Sequence, residues 1–151
     1  MHFAKCGGTL DITAAPGENP VFGMPTRKAL KFLLDRGVSP KQITLSSDGN
    51  GSMPRFDNNG KLVGQGIGPI TAVLESVVEL WNDAEFDAEA ILAMATSNVA
   101  DHLALNGKGR IAKGADADFL ALDKNGVLRH VTAMGTLMMR DGLLLKKGTF
   151  E

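Results

Sequence analysis

The residues with the clearest chemical potential lie between positions 46 and 52, where a carboxylate stands among small polar residues. Asp48 lies two residues after a short segment, residues 43–46, whose composition predicts a β-strand. A carboxylate at a strand end can contact a metal ion or exchange a proton with a substrate. Residue types alone also fit a solvent-exposed Asp-Gly turn, so both interpretations stay open at this point.

A calcium loop is the first alternative for this segment. Asp48, Asn50 and Ser52 alternate as the ligands of an EF-hand do. That loop also requires a glycine at its sixth position and a glutamate at its twelfth, where this sequence has Met53 and Asn59. The spacing therefore excludes an EF-hand.

Other site motifs fail in the same way. The glycines of residues 64–68 do not directly follow a strand and lack the spacing of a dinucleotide fingerprint. No P-loop and no nucleophile elbow is present. The sequence has three histidines, and none lies in a metal-binding motif: His2, His102 and His130. No complete metal site can be built from these residues with normal ligand spacing.

The elements around Asp48 predict strand–helix–strand–helix order over the first two thirds of the sequence. Residues 9–13 and 43–46 are predicted strands, and residues 48–68 are predicted to be one long loop. Four helices are predicted from apolar spacing and capping residues: Thr26–Arg36, a helix from Pro69 to Trp81, one capped by Asp87 and one capped by Ser97. This pattern is typical of an α/β fold.

The character of the sequence changes at residues 106–109, a cluster of turn-forming residues. Short β-like segments follow, with hairpin signals at Asn125-Gly126 and Asp141-Gly142. The sequence therefore predicts two regions, an α/β portion over residues 1–105 and an antiparallel meander over residues 106–151.

Composition excludes several function classes. The net charge is −1 and aromatic residues make up 5%, which argues against nucleic acid or an anionic membrane as a partner. No apolar segment approaches the ~20 residues of a membrane-spanning helix. A single cysteine, Cys6, and no signal-peptide pattern predict a cytoplasmic protein.

Three segments resemble isoaspartyl (β-aspartyl) dipeptidases of the amidohydrolase superfamily. Residues 7–13 are similar to the seventh barrel strand of that family, and residues 44–52 to its eighth strand and following loop. Residues 109–120 resemble the superfamily segment that leads into a small β-sandwich domain, and the similarity continues to residues 147–151. The resemblance implies the C-terminal part of a metal-dependent (β/α)8 TIM barrel, with its last two strands, plus part of the β-sandwich.

The resemblance also implies a zinc metallopeptidase that hydrolyses β-aspartyl dipeptides. In that family a hydroxide bridges two zinc ions and attacks the isopeptide carbonyl. Asp48 matches the aspartate that contacts metal and hydroxide and carries a proton to the leaving amine. Ser52 matches a serine that contacts the substrate, and Asn50 and Gly51 shape the same substrate-binding loop.

The other metal ligands of the family have no match in this sequence. They are a His-x-His pair, a carbamylated lysine and two single histidines, and we expect them upstream of the similar segments. A (β/α)8 barrel needs ~250 residues, whereas this sequence supplies about two of eight units. We therefore expect the 151 residues alone to be inactive and to require the N-terminal part or self-association.

Two alternatives remain at this point. The first is a portion of another amidohydrolase, either an N-acyl-amino-acid deacylase or a dihydroorotase relative. The second is a non-catalytic interaction module that keeps part of the fold.

Overall fold

The computed structural model describes residues 2–57 and 59–147, so the resemblance at residues 148–151 lies outside the described part. The chain divides into two compact units, Met1–Leu103 and Ala104–Glu151. We call them unit 1 and unit 2 and describe each by itself.

Unit 1 combines a parallel strand pair, a separate hairpin and several helices. Its elements are α1 (His2–Lys5), β1 (Leu10–Thr13), α2 (Thr26–Leu34), a 3₁₀ turn (Pro40–Gln42), β2 (Ile43–Ser46), β3 (Ser52–Phe56), β4 (Leu62–Ile67), α3 (Ala72–Trp81), α4 (Ala88–Ala95) and α5 (Ser97–His102). Strands β1 and β2 pair in parallel, with Leu10 opposite Ile43 and Thr13 opposite Ser46. Both strands were predicted from sequence, and the structure confirms them.

The core of unit 1 lies between one face of this strand pair and the helices. Ile12, Ile43 and Leu45 project to that face because successive side chains of a strand alternate between its two sides. The helices contribute the remaining large buried side chains: Leu30, Leu80, Ile91 and Met94. The opposite face of the strand pair is polar. Burial of the apolar side chains therefore determines which face of the strands packs against the helices.

Helix predictions are confirmed in type and corrected at several ends. The carboxylate of Asp87 accepts a hydrogen bond from the Glu89 amide, as a capping residue should. Helix α2 ends at Leu34 rather than Arg36, and α3 begins at Ala72 rather than at Pro69. Thr96, not Ser97, is the N-cap residue of α5.

The apolar residues at the two ends of the predicted helix α3 lie outside its buried face. Ile70 precedes the helix and is exposed, and Trp81 is exposed at its end. The buried face instead carries the small residues Ala72 and Ser76 beside Val77 and Leu80. Ser76 is buried without penalty because its hydroxyl pairs with that of Thr26 at 2.9 Å.

The long loop predicted for residues 48–68 is wrong in its second part. Residues 52–67 form an antiparallel hairpin, β3 with β4, whose strands are almost entirely exposed. Exposed strands with Pro54 and two glycines have no apolar alternation, so the usual strand signal is missing. The turn did carry a signal, Asn59-Gly60, and the Asp57 carboxylate accepts hydrogen bonds from the Asn59 and Lys61 amides.

Unit 2 is a four-stranded antiparallel meander, as the sequence predicted. Its strands are β5 (Phe119–Leu122), β6 (Leu128–Ala133), β7 (Thr136–Arg140) and β8 (Leu143–Leu144). Asp141 and Gly142 both have positive φ at the last turn, in agreement with the hairpin signal there. Within the part of the chain that the structure describes, no helix is long and apolar enough to cross a membrane.

Candidate functional site

The predicted site begins where the two parallel strands end. Thr13 lies opposite Ser46, and the Ala14 amide donates a 2.7 Å hydrogen bond to the Ser46 carbonyl oxygen. Parallel strands bring their carboxyl ends to one edge of the sheet, which is where barrel active sites form. Asp48 follows two residues beyond this edge and is exposed.

The backbone after β2 adopts an unusual conformation that suits its residue types. Asp48 has φ +47° and Asn50 has φ +61°, in the left-handed region that Asp and Asn enter more easily than other non-glycine residues. The Gly51 amide donates to the Asp48 carbonyl oxygen at 3.0 Å, and the Gly49 amide donates to Ser47 Oγ at 3.1 Å. These bonds close residues 47–51 into a compact turn.

At two positions of this turn there is no room for a side chain, so glycine is required. A Cβ atom on Gly51 would lie 2.8 Å from both Asp48 Oδ1 and the Asp48 carbonyl oxygen. A Cβ atom on Gly49 would lie 2.8 Å from Ile70 Cγ2. The backbone therefore approaches the Asp48 carboxylate closely, and any side chain at position 51 would displace it.

The hairpin β3–β4 is attached directly to this turn. The Asn50 amide donates to the Gly68 carbonyl oxygen at 2.9 Å, and the Gly68 amide donates to that of Gly51 at 3.0 Å. Ser52 opens β3, and its Oγ donates a 3.0 Å hydrogen bond to Gln65 Oε1 on β4. All four predicted site residues thus lie in one turn and the strand that leaves it, and whether they contact substrate or metal stays a prediction.

Sequence reasoning missed a polar cluster on the face of β1 and β2 that points away from the core. The Asp11 carboxylate accepts hydrogen bonds from Thr44 Oγ1 at 2.6 Å and from Ser46 Oγ at 2.5 Å. Both hydroxyls belong to β2, so Asp11 ties the two strands together just before Asp48. The signal was available, because polar residues at positions 11, 13, 44 and 46 alternate with apolar ones.

The residues present do not fit a zinc pair by themselves. Within residues 2–57 and 59–147, no group of three or more His, Cys, Asp or Glu side chains is placed to hold a metal ion. The His102 ring lies 3.1 Å from Thr9 Oγ1 and 3.0 Å from the Lys41 carbonyl oxygen, which gives it a structural role. A structural or catalytic zinc takes at least three protein ligands, so Asp48 alone is insufficient.

Comparison with known proteins identifies the class. The model of the amidohydrolase family matches residues 23–143, which is most of the chain. The chain therefore belongs to the amidohydrolase family. This finding confirms the superfamily resemblance seen in the sequence.

Two solved structures are similar over almost the whole chain. Both are β-aspartyl dipeptidase from the thermophilic, keratin-degrading Fervidobacterium islandicum AW-1, one of them in complex with the β-Asp-Leu dipeptide. The complex is 35% identical to this chain with a TM-score of 0.81, and the alignment covers 99% of this chain but 38% of that one. The second structure is 29% identical with a TM-score of 0.75 and covers 99% and 36%. The chain thus spans little more than a third of the enzyme it resembles.

More distant structures share the fold. N-acetylglucosamine-6-phosphate deacetylase from Thermotoga maritima is 17% identical with a TM-score of 0.62, covering 88% of this chain and 39% of that one. At this identity the likeness shows the fold alone. The structures together agree with a partial amidohydrolase fold of α/β type.

Proposed function

We propose that this chain is the Asp48-bearing portion of a zinc metallopeptidase that hydrolyses β-aspartyl dipeptides. The observation that carries the proposal is the 35% identity, over 99% of the chain, to a β-aspartyl dipeptidase whose structure holds β-Asp-Leu. The exposed carboxylate of Asp48 at the carboxyl edge of the parallel strands supports it, because barrel enzymes place catalytic groups there.

In this proposal the residues of the turn and of the start of β3 have different roles. Asp48 supplies one metal-ligating carboxylate, accepts a proton from the attacking water and returns it to the amine that leaves. Ser52 donates a hydrogen bond to a carboxylate of the substrate. Asn50 and Gly51 hold the turn in the shape that aims Asp48, through the hydrogen bonds to Gly68 and Asp48.

The chain alone is inactive in this proposal. Its described residues hold no cluster of three ligating side chains, and one carboxylate does not retain zinc. The family resemblance assigns the remaining ligands, histidines and a carbamylated lysine, to a part of the barrel that this chain does not contain. That other part, or a homo-oligomer, is the partner we propose, and we expect it in the cytoplasm.

A chimera tests the proposal. The 151 residues replace the similar portion of the Fervidobacterium enzyme, either covalently or as a co-expressed second chain, and β-Asp-Leu hydrolysis is measured with zinc. We expect activity from the chimera and none from the isolated chain. Asp48→Asn should lower kcat by roughly a thousandfold, since it removes both a ligand and the proton carrier.

Asp35→Asn is the matched control for charge. Asp35 is an exposed residue at the end of α2 whose contact with Lys31, at 3.5 Å, is a surface ion pair of small value. Equal activity of the Asp48 and Asp35 variants would refute the role of Asp48. A folded, zinc-containing chimera without activity would refute the proposed function and favour a non-catalytic interaction module.

The shape of the turn is tested with two glycines of the same region. Gly51→Ala should lower kcat by roughly a hundredfold, because the new methyl group displaces the Asp48 carboxylate. Gly64→Ala is the control, since a Cβ atom there meets nothing within 4 Å. Similar losses in both variants would show that the hairpin backbone, and not the position of Asp48, limits activity.

A further inference from the structure

The hydroxyl of Ser52 is already engaged in the structure. Ser52 Oγ donates to Gln65 Oε1 at 3.0 Å, across the hairpin from β3 to β4. Pro54 is the direct partner of Gln65 in the strand register, so Ser52 and Gln65 are diagonal neighbours two positions apart. Both side chains are exposed and accessible to a ligand.

This arrangement conflicts with the role proposed for Ser52. A serine hydroxyl has one hydrogen, and an ionised carboxylate is only an acceptor. While Ser52 donates to Gln65, it presents lone pairs to a substrate carboxylate, and the contact is repulsive. Ser52 can bind the substrate only if its hydrogen is released.

A glutamine can release that hydrogen and an acidic residue cannot. Rotation of the Gln65 carboxamide about its last bond exchanges its oxygen for its NH2 group. The NH2 group then donates to Ser52 Oγ, and the hydroxyl hydrogen points to the carboxylate. The hydrogen bonds from Gln65 to Ser52 and from Ser52 to the carboxylate then form a chain in which each strengthens the other.

We propose that Gln65 is a positioning residue, which turns the Ser52 hydroxyl toward the substrate carboxylate by reversing their hydrogen bond when substrate binds. The inference rests on the proposed function, since it requires Ser52 to contact substrate. Gln65 itself does not touch the reacting atoms.

The hairpin holds the pair in place. Backbone hydrogen bonds join Gly68 to both Asn50 and Gly51, and they fix the base of the hairpin to the turn that carries Asp48. The Phe22 ring lies where a side chain on Gly66 would be, so it covers the strand beside Gln65. The amide can therefore rotate without moving the backbone that sets its distance from Ser52.

The test uses the chimera and separates binding from chemistry. Gln65→Glu fixes an acceptor opposite Ser52, so KM for β-Asp-Leu should rise roughly tenfold or more while kcat stays within about twofold. Gln65→Ala frees the hydroxyl and should raise KM by less than about threefold. Ser52→Ala removes the donor and should raise KM about as much as Gln65→Glu.

Two controls distinguish this role from added charge or a weakened hairpin. In a Ser52→Ala background, Gln65→Glu should change KM by less than about twofold, because the two residues act as one unit. Val63→Glu places a carboxylate on the same exposed strand, two residues from Gln65, and should leave KM near the parent value.

The outcomes are separable. A Gln65→Glu effect that persists without Ser52, or that Val63→Glu reproduces, overturns the positioning role and leaves the proposed function intact. Equal KM in the parent and Gln65→Glu chimeras does the same. A folded chimera that is inactive with Asp48 intact overturns the proposed function and this inference together.

Discussion

Different interactions stabilise the interior of each of the two units. Unit 1 buries large apolar side chains, among them Leu30, Leu80 and Ile91, between the strand pair and its helices. No residue of unit 2 within residues 104–147 is buried, and its single sheet relies on backbone hydrogen bonds and on carboxylates that close its turns. A sheet packed on helices forms a core, whereas one exposed sheet does not.

The same contrast recurs inside unit 1 and bears on the candidate site. Apolar packing of Ile43 and Leu45 fixes the position of β2, and with it the start of the turn at Asp48. The hairpin that carries Ser52 and Gln65 is exposed and resembles unit 2 in this respect. Asp48 therefore follows a strand that is packed into the core, whereas the proposed substrate contact Ser52 lies on an exposed hairpin.

Truncation of a leucine should show the largest difference in stability between the two units. Leu30→Ala removes a fully buried side chain from α2 and should lower the free energy of unfolding of unit 1 by ~2–5 kcal/mol. Leu120→Ala on the exposed face of β5 should cost less than about 1 kcal/mol in unit 2. Urea unfolding measures both, with Trp81 fluorescence for unit 1 and far-ultraviolet circular dichroism for the whole chain.

An equal loss of stability in the two leucine variants would contradict this difference between the units. It would mean that Leu120 is covered in solution and that unit 2 gains stability from an apolar contact after all. A loss of stability in Leu30→Ala of only about a tenth of the expected value would also contradict it, because that side chain would then lie outside a packed core.

The next effect concerns a buried polar contact of unit 1. Thr26 Oγ1 accepts a hydrogen bond from the Ala15 amide at 2.7 Å and pairs with Ser76 Oγ at 2.9 Å. Thr26→Val keeps the shape but leaves both partners unsatisfied in a buried place, so unit 1 should lose ~1–3 kcal/mol in urea unfolding. Thr132→Val, on half-buried β6 of unit 2, is the matched control and should be near neutral because valine suits a strand.

What the sequence could predict follows the same division. Strand-forming composition predicted β1 and β2, and the helical spacing of apolar residues, with capping residues, predicted α2 to α5. The short helix α1 was not predicted. The exposed hairpin was missed because its strands pack against no core and leave no such pattern. The meander was found through turn residues instead, Asn125-Gly126 and Asp141-Gly142, whose chemistry is local.

The candidate site was predictable only in part for a physical reason. Asp48 was found because it lies two residues after a predicted strand in the sequence. The Asp11 contacts with Thr44 and Ser46 join residues more than 30 positions apart, so they depend on the parallel pairing of β1 with β2. The Ser52–Gln65 bond likewise depends on the hairpin register.

The smallest predicted effect is a difference in acid sensitivity between the units. The pKa of Asp118 is lowered by the hydrogen bond from Lys108 and by that from the Met134 amide. The pKa of Asp123 is lowered by the Asn125 and Val127 amides. A carboxyl group with a depressed folded-state pKa stabilises the fold fully above its unfolded pKa of about 4, and this stabilisation is lost as the pH falls through the folded pKa.

The Glu85 amide and Arg27 lower the pKa of Asp83 in unit 1 as well, but an apolar core also stabilises that unit. Unit 2 should therefore lose protection first when the pH is lowered below about 4, because it has little apolar burial. Amide hydrogen exchange at Val127 and Met134, compared with Ile12 and Leu45 of unit 1, measures the difference. Asp123→Asn keeps an oxygen that accepts both amides but carries no charge, so exchange at Val127 should become less dependent on pH. Simultaneous loss of protection in both units, or an unchanged pH dependence in Asp123→Asn, would show that the carboxylates do not distinguish unit 2 from unit 1.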